Sequence, residues 1–169
     1  IKSSKNYNFP AKITLVISDN KKAKGLKFSI KYGIPFKYFS SNNRKKFEKN
    51  CLYEIKKRQI KLICLAGFMK ILSNSFIKSF KHKILNIHPS LLPKYKGLET
   101  HKRVLKNKEK YSGCTVHFVT SKLDSGKIIL QKKVLISKKE TEISLKEKIL
   151  KIEHSIYPKS IISIFKNST

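Results

Sequence analysis

The sequence has little negative charge and little arginine. Its 10 acidic residues stand against 39 basic ones, for a formal net charge of +29, and only Arg44, Arg58 and Arg103 are arginine. Nucleic-acid sites favour arginine for bidentate contacts and gather basic residues in a patch, whereas the lysines here are spread from Lys2 to Lys166. We therefore interpret the charge as solvated surface lysine and expect no specific nucleic-acid partner. A basic nucleic-acid-binding protein stays open as an alternative.

Cysteines and long apolar runs are also scarce. The three cysteines, Cys51, Cys64 and Cys114, include no closely spaced pair. Their odd number leaves at least one thiol free, which favours a reducing compartment and argues against a zinc site. No apolar run approaches the ~20 residues that a membrane-spanning helix needs, and the first residues do not read as a signal peptide. We expect a cytoplasmic protein without a metal or a membrane contact.

Glycine and proline are few, at 6 and 5 residues, while hydrophobic residues make up 40%. This composition is typical of a globular protein and not of a disordered or fibrous one. A chain of 169 residues is long enough for one domain with a core and short for two. We expect residues 1–169 to form a single domain.

Apolar β-branched runs alternate with segments of helical period, the pattern of βαβ units around a mostly parallel sheet. Strands are predicted at 12–18, 34–39, 61–65 and 82–87, and helices at 22–32, 44–59 and 73–80. The segments 113–120 and 127–136 predict an antiparallel pair because their connection is too short for a helix. A last helix is predicted at 144–165, where Pro158 should kink or break it. The predicted fold is α/β, with a three-layer, mostly parallel Rossmann-like sheet.

The most informative stretch runs from Leu85 to Gly97, where a buried strand reaches its carboxyl end. Open α/β sheets bind ligands at that edge. In an extended chain Asn86 and His88 point to the same side, and Pro89 disfavours the helical conformation at His88. An amide and an imidazole then face one cleft. On spacing alone, catalytic and structural roles both stay open.

Asp124 is one of only two aspartates and lies in the connection 121–126. One interpretation is an Asx-turn residue. The other is a carboxylate that orients His88 and relays a proton, which requires the two side chains to come close. The residues alone do not choose between these interpretations.

Several blocks of sequence carry a resemblance to a known family. Residues 86–93 read Asn-Ile-His-Pro-Ser-Leu-Leu-Pro, 65–72 read Leu-Ala-Gly-Phe-Met-Lys-Ile-Leu, 116–120 read Val-His-Phe-Val-Thr, 123–126 read Leu-Asp-Ser-Gly, and 153–158 read Glu-His-Ser-Ile-Tyr-Pro. In this order the blocks resemble those of the folate-dependent phosphoribosylglycinamide formyltransferases, over a stretch from Lys12 to Pro158.

The resemblance implies formyl transfer from 10-formyltetrahydrofolate, as cosubstrate, to glycinamide ribonucleotide in purine synthesis. It implies direct transfer, with no metal and no covalent intermediate. The catalytic residues that it implies are Asn86, His88 and Asp124. The folate site that it implies consists of Arg44, Phe68, Met69, Ile71, Leu72, Val119 and Thr120. The nucleotide site that it implies includes Gly67, Ile87, Pro89 and Glu153.

Two of these positions match specific family roles. Arg44 matches the arginine that meets the glutamate tail of the folate, and Glu153 matches the residue that binds the ribose hydroxyls. His117 and His154 are interpreted as structural, and His101 has no assigned role. The expected partners are the two small molecules, and we expect a monomer or a weak homodimer.

The chain departs from the family at its amino end. The family's first strand and glycine-rich phosphate loop have no match, and the chain begins with Ile1. We expect both elements upstream of Ile1, so that the chain as written is a defective enzyme.

Two other formyl-folate enzymes stay open as alternatives. Methionyl-tRNA formyltransferases favour Arg-Gly-Ala-Ala-Pro-Ile where residues 96–101 read Lys-Gly-Leu-Glu-Thr-His. Formyltetrahydrofolate hydrolases carry His-His in place of His88 and Pro89. Both therefore fit the sequence less well.

Overall fold

The computed structural model describes residues 1–166. Its internal contacts divide the chain into two compact units, residues 1–61 with 74–81, and residues 62–73 with the chain from His82 onward. The single domain expected over 1–169 stays a prediction. No helix among the described residues is long and apolar enough to cross a membrane.

The first unit contains a two-stranded parallel sheet and three α-helices. Strand β1 pairs with β2, and α1 connects them and packs on both. A short 3-10 helix, Ser3–Lys5, precedes this sheet. The bounds of the main elements are β1 Val16–Ser18, α1 Lys24–Lys31, β2 Phe36–Tyr38, α2 Arg44–Lys57 and α3 Asn74–Ser79.

Helix α2 begins at a capping signal and buries one face. The side chain of Asn43 accepts a hydrogen bond from the backbone N–H of Lys46, which satisfies a donor that the first turn leaves open. Phe47, Cys51 and Ile55 recur every four residues and are buried, as an amphipathic helix requires. The helix packs against α3 within the same unit.

The second unit contains a four-stranded sheet in the order β3-β4-β5-β6. Strands β3 and β4 are parallel, and β5 is antiparallel to both β4 and β6. Helix α5 packs on β5 and β6 and contacts α4. The bounds are β3 Leu62–Leu65, β4 Lys83–His88, α4 Thr100–Lys106, β5 Tyr111–Phe118, β6 Ile128–Leu135 and α5 Glu142–Lys166.

The core of this unit lies between β5 and the two helices. Its buried apolar residues are Val104, Cys114, Val116, Leu145, Ile149 and Ile156. Burial of such side chains stabilises a fold by about 1.5–3 kcal/mol each before entropy is counted. The core therefore holds β5 in place, and the other face of that strand is free to carry polar groups.

The α/β fold class and the antiparallel β5–β6 pair predicted from the sequence are confirmed. Helix α4 was not predicted, because it is short and begins after Glu99, whose backbone is left-handed and whose side chain makes no capping hydrogen bond. Pro158 was expected to kink or break the last helix; it does not break it, since α5 continues through it. Ile156 and Ser160, two residues to either side of Pro158, are both buried.

Candidate active site

Strand β4 places Asn86 and His88 on one side of the sheet, near its carboxyl end. The two residues are separated by one position, so their side chains share a face. In the antiparallel register Asn86 lies opposite His117 and His88 lies opposite Thr115 of β5. His88 is buried, with 6% of its surface exposed. The strand pairing thus gathers polar side chains from two strands.

The imidazole of His88 has an acceptor at each ring nitrogen. Its Nδ1 lies 3.4 Å from Oδ2 of Asp124, and its Nε2 lies 2.8 Å from the backbone oxygen of Tyr95. The carbonyl can only accept, so Nε2 carries a hydrogen, while the carboxylate lies at ion-pair distance from Nδ1. The arrangement suits an imidazolium, which carries a hydrogen on both nitrogens.

Asp124 reaches the cluster from the connection between β5 and β6. Its backbone is left-handed, with φ of 43°, a conformation that Asp and Asn tolerate better than most residues. Oδ2 accepts a hydrogen bond of 2.9 Å from the backbone N–H of Gly97. Within residues 1–166 its carboxylate accepts no hydrogen bond from its own turn, so the Asx-turn interpretation has no support in the geometry.

Gly126 ends this connection at a close approach of two backbones. A β-carbon at Gly126 would lie 1.8 Å from the carbonyl oxygen of Phe118. Only glycine fits this point without a backbone shift.

His117 joins the same cluster, although the sequence suggested only a structural role. Its Nδ1–H donates to the carbonyl oxygen of Phe118 over 2.8 Å, which leaves Nε2 as an acceptor. Nε2 lies 3.3 Å from Nδ2 of Asn86, so the amide donates to it and keeps a second N–H free of this bond. Burial lowers the pKa of His117, partly offset by the Phe118 carbonyl and Asp124. A neutral His117 therefore orients the amide of Asn86.

The contact between His117 and Asp124 is not an ion pair in this arrangement. Nε2 of His117 lies 3.7 Å from Oδ1 of Asp124, but the hydrogen of the neutral ring is on Nδ1. The position of His117 follows from the β4–β5 register, which the sequence did not reveal.

Glu153 lies on α5 as a partly buried carboxyl group. Among residues 1–166 it has no hydrogen-bond or ion-pair partner, and burial raises its pKa to about 7. One helical turn later, the hydroxyl of Tyr157 donates to the carbonyl oxygen of Leu65 over 2.7 Å. It also lies 3.3 Å from the carbonyl oxygen of Leu85. Tyr157 thus fixes this part of α5 to the end of β3.

The residues expected to bind folate lie in several places. Phe68 is half-buried, whereas Met69 and Ile71 expose 69% and 57% of their surfaces and Leu72 is buried. Two exposed large apolar side chains offer a surface to an apolar ring. The residues that follow β5, Val119 and Thr120, are half-buried and exposed respectively. The Val119 N–H donates to the carbonyl oxygen of Ile84 over 2.8 Å.

The remaining predicted positions are distributed over both units. Gly67 follows β3 with φ of 67°. Ile87 lies within β4 and Pro89 directly follows it, both half-buried. Arg44 begins α2 in the first unit, where its side chain is 61% exposed and its Nε lies 3.6 Å from Oε1 of Glu48.

The fold and the cluster define an α/β protein with an amide, an imidazole and a carboxylate joined at the end of a strand. The sequence model of the formyl transferase family matches residues 1–161. The chain therefore belongs to the formyl transferase family.

Individual relatives agree with this assignment. The chain is 39% identical over 164 residues to the trifunctional purine biosynthetic protein adenosine-3 of Gallus gallus. The matched region spans 95% of this chain but only 16% of that protein. It is 32% identical over 160 residues to phosphoribosylglycinamide formyltransferase of Bacillus subtilis (strain 168). That match spans 93% of this chain and 82% of the relative. The crystal structure of phosphoribosylglycinamide formyltransferase from Brucella melitensis matches with a TM-score of 0.90 and 38% identity, over 98% of this chain and 86% of that one.

Proposed function

We propose that this chain transfers a formyl group from 10-formyltetrahydrofolate to the amine of glycinamide ribonucleotide. The observation that carries the proposal is the contact between His88 and Asp124 beside Asn86, at the carboxyl end of β4. This set supplies an amide donor, a cation and a proton carrier. Acyl transfer between two nitrogens needs these three groups.

The reaction forms a bond from the amine nitrogen to the formyl carbon and breaks the bond from that carbon to N10 of the folate. One proton moves from the amine to N10. Negative charge builds on the formyl oxygen in between. One N–H of the Asn86 amide is bonded to His117, and the other donates to this oxygen. Such a hydrogen bond stabilises the transition state by about 3–4 kcal/mol in comparable enzymes.

His88 and Asp124 divide the remaining work. The imidazolium of His88 stabilises the same formyl oxygen through its positive charge. Asp124 holds the ring from the Nδ1 side and, through a water, carries the proton from the amine to N10. No metal takes part in this scheme.

The substrate sites follow the family resemblance and the exposure of the side chains. The exposed apolar side chains of Met69 and Ile71 fit a pterin ring. Together with Phe68, Leu72, Val119 and Thr120 they form the proposed folate site, and Arg44 receives the glutamate tail. Gly67, Ile87, Pro89 and Glu153 form the proposed nucleotide site, with the Glu153 carboxylate accepting from the ribose hydroxyls.

We propose further that the protein acts in the cytoplasm, on these two small molecules, as a monomer or a weak homodimer. The cysteines Cys51, Cys64 and Cys114 are free thiols, which supports a reducing compartment. No specific nucleic acid takes part in the proposed reaction.

The test offers 10-formyltetrahydrofolate together with one acceptor at a time. The acceptors are glycinamide ribonucleotide at saturating concentration, methionyl-tRNA and water, and mass spectrometry identifies the formylated product or free formate. Because no residues match the family's phosphate loop and a defective enzyme is expected, we expect formyl-glycinamide ribonucleotide at a low rate, and its loss in His88→Asn. Formylation of methionyl-tRNA alone would favour the tRNA enzyme, and formate alone would favour the hydrolase. Salt-sensitive DNA or tRNA binding by a folded chain that transfers no formyl group would favour the nucleic-acid alternative.

A further inference from the structure

A row of three side chains crosses the sheet from the candidate active site to its edge. His88 of β4 lies opposite Thr115 of β5, and Thr115 lies opposite Gln131 of β6. The strands β4, β5 and β6 are neighbours, and β6 is the edge of this sheet. The row therefore links an exposed edge position to the buried imidazole.

The hydroxyl of Thr115 is saturated with hydrogen bonds. It donates to the carbonyl oxygen of Ser90 over 2.6 Å. It accepts from the backbone N–H of Leu92 at 3.2 Å and from Nε2 of Gln131 at 2.8 Å. A hydroxyl has one hydrogen and two lone pairs, so none of its capacity is left. Thr115 has 0% exposure, and no solvent replaces a lost partner.

Both hydrogens of the Gln131 side-chain amide also form hydrogen bonds. Its Nε2 donates to Thr115 and also to the carbonyl oxygen of Leu92 over 3.0 Å. A carbonyl oxygen can only accept, so the NH2 group and not the oxygen of the amide faces the loop. Both amide hydrogens are thereby assigned, and the backbone of Leu92 is held at both its N–H and its C=O.

The anchored loop leads directly to the imidazole of His88. Thr115 binds the carbonyl oxygen of Ser90. The hydroxyl of Ser90 in turn donates to the carbonyl oxygen of Lys94 over 2.6 Å. The next carbonyl along the chain, that of Tyr95, is the acceptor for Nε2 of His88. The position of this carbonyl thus depends on an anchor at Ser90 and Leu92.

We propose that Gln131 is a positioning residue for His88. Through Thr115 and Leu92 it holds the loop 89–95, so that the carbonyl of Tyr95 keeps a hydrogen on Nε2 of His88 and presents Nδ1 to Asp124. The consequence for catalysis rests on the proposed function, whereas the effect on the imidazole does not.

The test replaces Gln131 with methionine, which has a similar length and no N–H. We expect kcat for formyl transfer to fall about tenfold to a hundredfold with both KM values nearly unchanged, because misplacement of a reacting group acts on the chemical step. The 15N shifts of the His88 imidazole, identified by their loss in His88→Asn, should show less hydrogen on Nε2 at a fixed pH. Lys132→Gln, the next and exposed position on β6, serves as the control.

A second pair of variants separates positioning from general stability. Thr115→Ser keeps the hydroxyl and should retain kcat and the imidazole spectrum, whereas Thr115→Val removes it and should behave like Gln131→Met. If Thr115→Val does not fold, Gln131→Met decides alone, since Gln131 is exposed. Wild-type imidazole shifts in a folded Gln131→Met variant would overturn the proposal, whatever its kcat. If the wild-type chain transfers no formyl group, the proposed function fails while the imidazole spectrum still decides the positioning role.

Discussion

The carboxylate of Asp124 lies 3.4 Å from Nδ1 of His88, and the two residues reach this distance from different elements. His88 ends a strand, whereas Asp124 lies in the connection between two later strands. The N–H of Gly97 holds the same oxygen of Asp124 from a third segment. The end of a strand, the loop that follows it and a later connection therefore together determine one carboxylate–imidazole contact.

Asp124→Asn is expected to lower kcat by about a hundredfold to ten-thousandfold, the range for loss of a general acid–base group. Folate affinity should change little, because Asn has the same size, tolerates the left-handed backbone and still accepts from Gly97. Steady-state kinetics and a separate folate titration measure the two effects. Lys122→Gln in the same connection should match the wild type, and an unchanged kcat in Asp124→Asn would remove Asp124 from the catalytic residues.

Asn86→Asp tests the oxyanion donor with almost no change of shape. The carboxylate has no N–H for the formyl oxygen, and its negative charge opposes the charge that develops there. We expect kcat to fall about a hundredfold to a thousandfold with KM values close to those of the wild type. A variant that keeps its kcat would mean that another group stabilises the oxygen.

Glu153→Gln should change the pH dependence of stability. Burial raises the folded-state pKa of Glu153 to about 7, above the ordinary carboxyl value, so folding favours the protonated group. The resulting destabilisation is absent below about pH 4, grows as the pH rises, and is complete above pH 7. Gln removes this destabilisation. The free energy of unfolding measured in urea at pH 8 should therefore be higher in the variant, by at most about 3 kcal/mol and by less because the group is partly exposed. An equal difference at pH 5.5 and pH 8 would contradict the shift.

The same group predicts a pH effect on nucleotide binding. Above about pH 7 the carboxylate of Glu153 accepts hydrogen bonds from the ribose hydroxyls more strongly than the neutral acid does. The KM for glycinamide ribonucleotide should therefore fall between pH 6 and pH 8 in the wild type and change less in Glu153→Gln. Parallel curves for the two proteins would remove Glu153 from the nucleotide site.

Arg44→Ala should weaken folate binding and leave kcat nearly unchanged. The side chain is 61% exposed, and exposed ion pairs such as that with Glu48 contribute little to stability. Isothermal titration with a glutamylated folate measures the loss, and Lys45→Ala is the neighbouring control. A fall in kcat at unchanged affinity would assign Arg44 a different role.

The sequence predicted that Asn86 and His88 share one face of a strand, but not which residues contact them. Asn86 and His88 follow from period-two spacing at a strand end, because strand geometry is local. The contacts of His117 and Gln131 depend on the register between strands, which distant parts of the chain set. Helix α4 was not predicted for a related reason. It has no capping signal, and the packing of Val104 in the core stabilises it instead.

The close approach at Gly126 limits how this chain can change. A side chain there would push against the carbonyl oxygen of Phe118, and the same oxygen accepts the hydrogen that fixes the tautomer of His117. In a randomised library over residues 121–126, every active variant should therefore retain glycine at 126, while exposed positions such as Lys122 accept many residues. An invariant Gly126 would then mean that catalysis depends on the space beside the carbonyl oxygen of Phe118, even where the glycine contacts neither substrate.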